Sequence, residues 1–309
     1  MNPKVTIDHC QWWSSFFIGA EHVYSIIIIG GVSKAGQHPT VEVFGDFNCS
    51  LPNMPYRSGN FLQGPQMFLN DQNEAVICGG NTPESTRSCF RLQSGEWKRD
   101  YRILSSDRNH ATGFSINGKA YMLGGSYTQN SSDILDFKEG VWKEGPKLID
   151  PQVYSSCGVV ISNEEFLLIG GYYGSRKIFK FNAKSEHWSE VGSVQHPRWR
   201  HACALYKNKV YISGGLSAKS SVEVLDLDSL TTRVINYHQI GRADHGLGMV
   251  HIDGQLRLAA FGGKDFDGVT DTIELFNDDT ETWSLSEYKL SQKKMAFGYL
   301  SVPSHLICP

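Results

Sequence analysis

Residues 197–215 read PRWRHACALYKNKVYISGG, and the order of chemical types in this stretch decides the fold. HACALY is a run of small and apolar residues, Lys207-Asn208-Lys209 is a polar turn, VYIS is a second apolar run, and Gly214-Gly215 closes it. Two short antiparallel strands joined by a tight turn fit this pattern. Beyond the glycines, the polar loop LSAKSS leads to SVEVLDL, a third strand with period-2 alternation partly kept. In the preceding copy of the pattern KIFKF is the third strand, and Trp188 follows Phe181 by seven residues inside a fourth. No stretch carries a helical apolar period, so the unit is all-β.

The unit recurs along the chain. Doublets stand at Gly30-Gly31, Gly79-Gly80, Gly124-Gly125, Gly170-Gly171, Gly214-Gly215 and Gly262-Gly263, at intervals of 49, 45, 46, 44 and 48 residues. That period lies in the range of propeller repeats. Twelve of the 31 glycines are spent at this one position, although glycine at a strand end costs roughly 0.5–1 kcal/mol relative to alanine. The backbone there must need a positive φ or an approach that a Cβ would block. A spaced tryptophan accompanies the doublet. Trp97, Trp142, Trp188 and Trp283 follow Leu92, Phe137, Phe181 and Phe276 by five or seven residues. Each would bury 150–250 Å2, a gross gain of roughly 4–6 kcal/mol, and reads as a wedge between neighbouring units.

Six four-stranded units repeated radially make a six-bladed β-propeller, occupying residues 1–309 as one domain. The C-terminal stretch KKMAFGYLSVPSHLI matches a first strand without a doublet. It is expected to insert beside the N-terminal strands, closing the ring and removing an open edge.

Arg-x-x-His ahead of the first strand, the doublet, an aromatic and the spaced tryptophan together resemble the kelch repeat, over nearly the whole chain. The Arg-x-x-His element is complete at Arg198/His201 and Arg242/His245, partial at Arg57 and at Arg108/His110, and absent at 151–154 and 293–296. Cys49 and Thr232 stand at the tryptophan position in the first and fifth copies. The resemblance implies a kelch β-propeller with four antiparallel strands per blade; it does not define a function, because one fold hosts many. Kelch propellers that serve as substrate receptors of cullin ubiquitin ligases hold acidic peptides with arginines of this PRxR stretch. By that resemblance Arg200 is a partner contact and Arg176 a weaker analogue. In those families a BTB domain precedes the propeller, and none is legible here.

Net charge −3 argues against nucleic acid as the main partner. No apolar run approaches the ~20 residues of a membrane span. No Cys-x-x-Cys, His-Glu-x-x-His, Gly-x-Ser-x-Gly or P-loop pattern occurs, so the chain reads as non-catalytic, without metal or cofactor. The iron motif of plant specifier proteins, a kelch group, fails because Leu104 stands where the histidine after Glu96 and Asp100 should be. The copper oxidases of the fold use a Tyr–Cys cross-link, whereas Cys157 and Cys203 fall inside first strands and read as buried thiols. His201 and His245 occupy a repeat position and read as structural. Seven cysteines are few and unevenly spaced for a disulfide framework. Two pairs remain candidates: Cys78 with Cys89 across one hairpin, and Cys10 with Cys308 at the chain ends. Asn48 and Asn130 each begin an N-glycosylation pattern.

The loops after the doublets and those before the first strands open onto one face and differ between copies, as a platform for an irregular protein surface would. Interface-type residues gather in one sector of it: Tyr172, Tyr173 and Arg176, then Arg198, Trp199 and Arg200. Asn109, Val153 and Asp244 stand at the places corresponding to Arg200 in other copies. The resulting expectation is a monomeric, non-catalytic propeller that binds a protein or peptide, as a scaffold or a ubiquitin-ligase adaptor. An extracellular kelch protein with glycans and disulfides, or a sugar enzyme of mutarotase type, are the alternatives. No leader is legible in the first thirty residues, which points to the cytoplasm; an incomplete N-terminus would point outside the cell.

Overall fold

The computed structural model describes residues 22–33, 36–37, 39–47, 49–55, 63–81, 87–126, 130–150 and 153–307. Cys10, Cys308, Asn48 and Arg57 lie outside these residues. Six antiparallel sheets stand around a central axis as blades, numbered here in the order of their doublets. Blades two to six each have four strands in chain order, as in Ala202–Tyr206, Lys209–Ser213, Ser221–Asp226 and Thr232–Tyr237 of blade five. Blade one, among the described residues, has the order Gly298–Pro303, Tyr24–Ile29, Val41–Phe44. Its innermost strand is therefore the C-terminal one, paired from Gly298 opposite Ile29 to Pro303 opposite Tyr24. The expected latch is present, and the innermost strands of the six blades touch in a closed circle.

Each strand near the axis is covered on both faces by neighbouring blades, so its apolar residues point both ways. Six apolar clusters result, each shared by two adjacent blades. Trp97, Trp142, Trp188 and Trp283 are buried in four of them. Trp142 meets Phe68 of the preceding blade edge-on, with ring centroids 6.4 Å apart, and Trp283 sits with Tyr206 and Tyr211 of blade five. The wedge reading holds.

The interface between blades four and five has no tryptophan, since Thr232 takes its place. Its cluster contains no aromatic residue and is built from Val159, Leu167, Ile169, Ile212 and Leu225. The Thr232 hydroxyl donates instead to the Ser193 carbonyl of blade four, at 3.0 Å. A disulfide, Cys157–Cys203, also crosses this interface, with Cα atoms 5.8 Å apart. The reading of these cysteines as free thiols is thereby corrected. They lie 46 residues apart on first strands that run side by side, one residue out of step with the repeat. Cys157 pairs with Ile169, one residue before its doublet, and Cys203 with Ile212, two residues before its own. Cys78 and Cys89 are bridged as expected, facing each other across paired strands. Cys49 is disulfide-bonded as well, so every cysteine among the described residues is oxidised.

The doublets join each blade to the next. Gly214 has φ +65°, and a Cβ there would lie 2.3 Å from the carbonyl oxygen of Arg242. The N–H of Gly215 donates to that same oxygen at 2.8 Å, and Gly171 and Gly80 repeat the bond to Arg198 and Arg108. Positive φ and close approach are both required, which only glycine satisfies without strain.

Candidate functional site

The face formed by the post-doublet loops and the loops before the first strands rests on a layer of buried cations. Arg198 is fully buried. Its guanidinium donates to the carbonyls of Gly214 and Ser221 at 2.7 and 2.9 Å and to Glu223 at 2.9 and 3.2 Å. Glu223 also accepts the N–H groups of Gln195 and His196 at 2.6 and 2.9 Å. Burial pushes the Glu223 carboxyl up, but Arg198 and those N–H groups outweigh it and hold the carboxyl below its ordinary range. Arg242 with Glu274, Arg108 with Asp133, and Lys294 with Glu42 repeat the pair in other blades. Arg198 was expected among the partner contacts. The structure withdraws it from the surface, because it is spent tying its loop to the third strand of its own blade.

His201 and His245 turn their rings against Gly170 and Gly214 of the preceding blades, and Phe297 does the same at Gly262. Burial first, then the Arg198 cation, pushes the His201 imidazole down to about 3. The unfolded value is ~6.5, so between the two the unfolded chain binds a proton that the fold excludes. Stability therefore falls as pH drops below ~6.5, by about 1.4 kcal/mol per pH unit for this residue. His201→Phe, which copies the residue at 297, is expected to remove that slope between about pH 6 and 4 in urea-unfolding midpoints. An unchanged slope would show that His201 titrates normally in the fold.

Above this layer a closed ring of backbone hydrogen bonds encircles the axis. The N–H of Gly64 donates to Ala296, His110 to Gly64, Ser155 to His110, Arg200 to Ser155, Asp244 to Arg200, and Ala296 to Asp244, at 2.7–3.2 Å. All six residues have φ between 50° and 67°. Five of them are not glycine, and such a conformation persists only where the surroundings enforce it. The ring fixes the direction of each side chain it carries.

On one side of the ring the aromatic residues converge. Tyr172 meets Tyr154, Tyr173 and Trp199 with centroids 5.3, 4.2 and 5.0 Å apart. His110 lies 6.0 Å from Tyr154 at one end, and the Arg200 guanidinium lies 5.3 Å over Trp199 at the other. Tyr173 is 81% exposed. Arg200 pairs with Asp244 at 3.0 Å, and Lys264 approaches the same carboxylate oxygen at 3.8 Å. Two cations thus share one carboxylate. Burial pushes the His110 imidazole down, the Asp244 carboxylate opposing this.

Of the residues expected on this face, Tyr172, Tyr173, Trp199, Arg200 and Asp244 are brought together. Arg176 is not among their contacts; its Nε donates to the Val194 carbonyl at 2.9 Å, as Arg87 does to Leu104. The place matching Arg200 is His110, not Asn109, in blade three and Ser155, not Val153, in blade four, because His110 and Ser155 are the positive-φ residues of those loops. Val153 is buried, and Asn109 is buried beside His110. Tyr154, His110 and Lys264 were missed. Tyr154 directly precedes the ring residue of its repeat, a place that the missing Arg-x-x-His element of that copy concealed.

A shallow cleft of about 560 Å3, lined by Lys207, Gln255–Arg257 and Asn277–Asp279, lies among the hairpin turns of blades five and six. Among the described residues no group of three or more His, Cys, Asp or Glu side chains is arranged to hold a metal, and no helix is long and apolar enough to cross a membrane.

Fold, repeat pattern and interblade stitching define a six-bladed propeller of kelch type. The chain is 27% identical over 124 residues to beta-scruin of Limulus polyphemus and 26% identical over 126 residues to alpha-scruin of the same animal. Each match covers 37% of this chain and 13% of the scruin. No family model matches the chain.

Proposed function

We propose that the chain is a protein-binding module whose contact surface is the aromatic crescent Tyr154–Tyr172–Tyr173–Trp199 and the adjoining Arg200, Asp244 and Lys264. The observation that carries this reading is the crescent itself, the exposed Tyr173 with the partly buried Tyr154, Tyr172 and Trp199, set on a rigid hydrogen-bonded ring. Tyrosine, tryptophan and arginine in such a setting are the residues that dominate interface energetics. The surplus of positive charge around Asp244 suits an acidic group on the partner, flanked by an apolar one for the rings.

A ubiquitin-ligase adaptor is one setting for such a module. Oxidation of every described cysteine favours another, an extracellular binding protein, since reducing compartments keep thiols free. Peptides selected from a displayed random library against the immobilised chain provide the test. Tyr173→Ala with Trp199→Ala is expected to weaken them at least about tenfold, the loss of a hot-spot residue, with the unfolding midpoint little changed. Selected peptides that bind the double variant as well as the parent would place the surface elsewhere.

A further inference from the structure

We infer that Asn130 carries an N-linked glycan, added before blade three closes, in the oxidising compartment that forms the disulfides. Asn130 is exposed and opens the pattern Asn130-Ser131-Ser132 in the loop after Gly124-Gly125. Its carbonyl accepts the N–H of Leu148 at 3.1 Å, past the outer strand Val141–Glu144. Ser126 of the same loop instead bonds to the Asn109 carbonyl beside the ring, at 2.9 Å. Asn130 therefore stands on the outer shoulder of blade three. A glycan there projects over the rim and leaves the crescent of blades four and five open.

The three-residue pattern alone is short. The independent observation is the cysteines, above all Cys157–Cys203, which joins separate blades. Disulfides form and persist in the secretory route, where asparagine glycosylation of this pattern also takes place.

Ser132 sets the order of events. It is fully buried, and its hydroxyl donates to the Pro146 carbonyl at 2.6 Å. The transferase must engage that hydroxyl, so transfer precedes the docking of Pro146. In the transfer, Nδ2 of Asn130 attacks the anomeric carbon of a lipid-diphosphate-linked oligosaccharide. A C–N bond forms, the C–O bond to the diphosphate breaks, the lipid diphosphate leaves, and the amide proton passes to a base. No oxidant or reductant is involved.

Native protein treated with peptide-N-glycosidase in heavy-oxygen water is expected to yield labelled aspartate at position 130 in tandem mass spectrometry. A non-reducing peptide map is expected to show Cys157 linked to Cys203. Asn130→Gln should lose one glycan mass with an unchanged unfolding midpoint, and Asn48 is told apart by its own peptide. Recovery of unmodified Asn130 overturns the glycan, and free thiols at Cys157 and Cys203 overturn the oxidising compartment. For the order of events, purified folded, glycan-free chain should remain unmodified by oligosaccharyltransferase and a lipid-linked donor, whereas denatured chain is modified. Modification of the folded chain overturns that order.

Discussion

Arg198→Ala is expected to destabilise the propeller by about 3–5 kcal/mol, the loss seen when one partner of a buried ion pair is removed. Glu223 would stay fully buried with its cation gone, and the carbonyls of Gly214 and Ser221 would lose their donor. The substitution leaves the exposed surface untouched, so the whole effect is on folding. Blade four supplies the control. There Val153 and Phe179 stand where other blades have the cation and the acid, and both are buried in one apolar cluster. Arg198→Val with Glu223→Phe should therefore recover at least half of the loss, because replacing a buried pair by apolar groups is often near neutral. Denaturant midpoints measure both. A single variant within about 1 kcal/mol of the parent would mean that Glu223 simply protonates or finds water.

Cys157→Ala with Cys203→Ala is expected to cost about 4 kcal/mol, the loop-closure entropy of a cross-link spanning ~46 residues. This interface lacks its tryptophan and has no aromatic packing, so it has less apolar burial in reserve than its neighbours. The cysteines also lie two and three residues beyond Ser155 and Arg200 of the ring. Their removal should make those loops more susceptible to proteolysis, and reductant added to the parent should reproduce both effects. A double variant with the parent's midpoint and cleavage pattern would show that aliphatic packing alone holds blades four and five together.

The legible part of the fold was the part written in local pattern. The six doublets, the wedging tryptophans and the unpaired C-terminal strand each involve a few consecutive residues and a fixed period, so blade count and closure could be counted. The aromatic sector was legible for a similar reason: Tyr172 and Tyr173 adjoin a doublet, and Trp199 and Arg200 open the clearest repeat. Arg198 was misplaced because residue type does not distinguish an arginine facing solvent from one facing a buried glutamate 25 residues later. Asn109 was misplaced by aligning histidines, when the backbone conformation of His110 sets the register of that loop.

Strand order, blade number and the position of every wedge follow from the sequence, because apolar alternation and glycine's freedom at positive φ act over neighbouring residues. The pairing of Cys157 with Cys203, the burial of Arg198 against Glu223, and the ring that gathers His110, Ser155, Arg200 and Asp244 were settled only in three dimensions. Each joins residues in different strands or blades, and those meet only when the sheets pair and the circle closes.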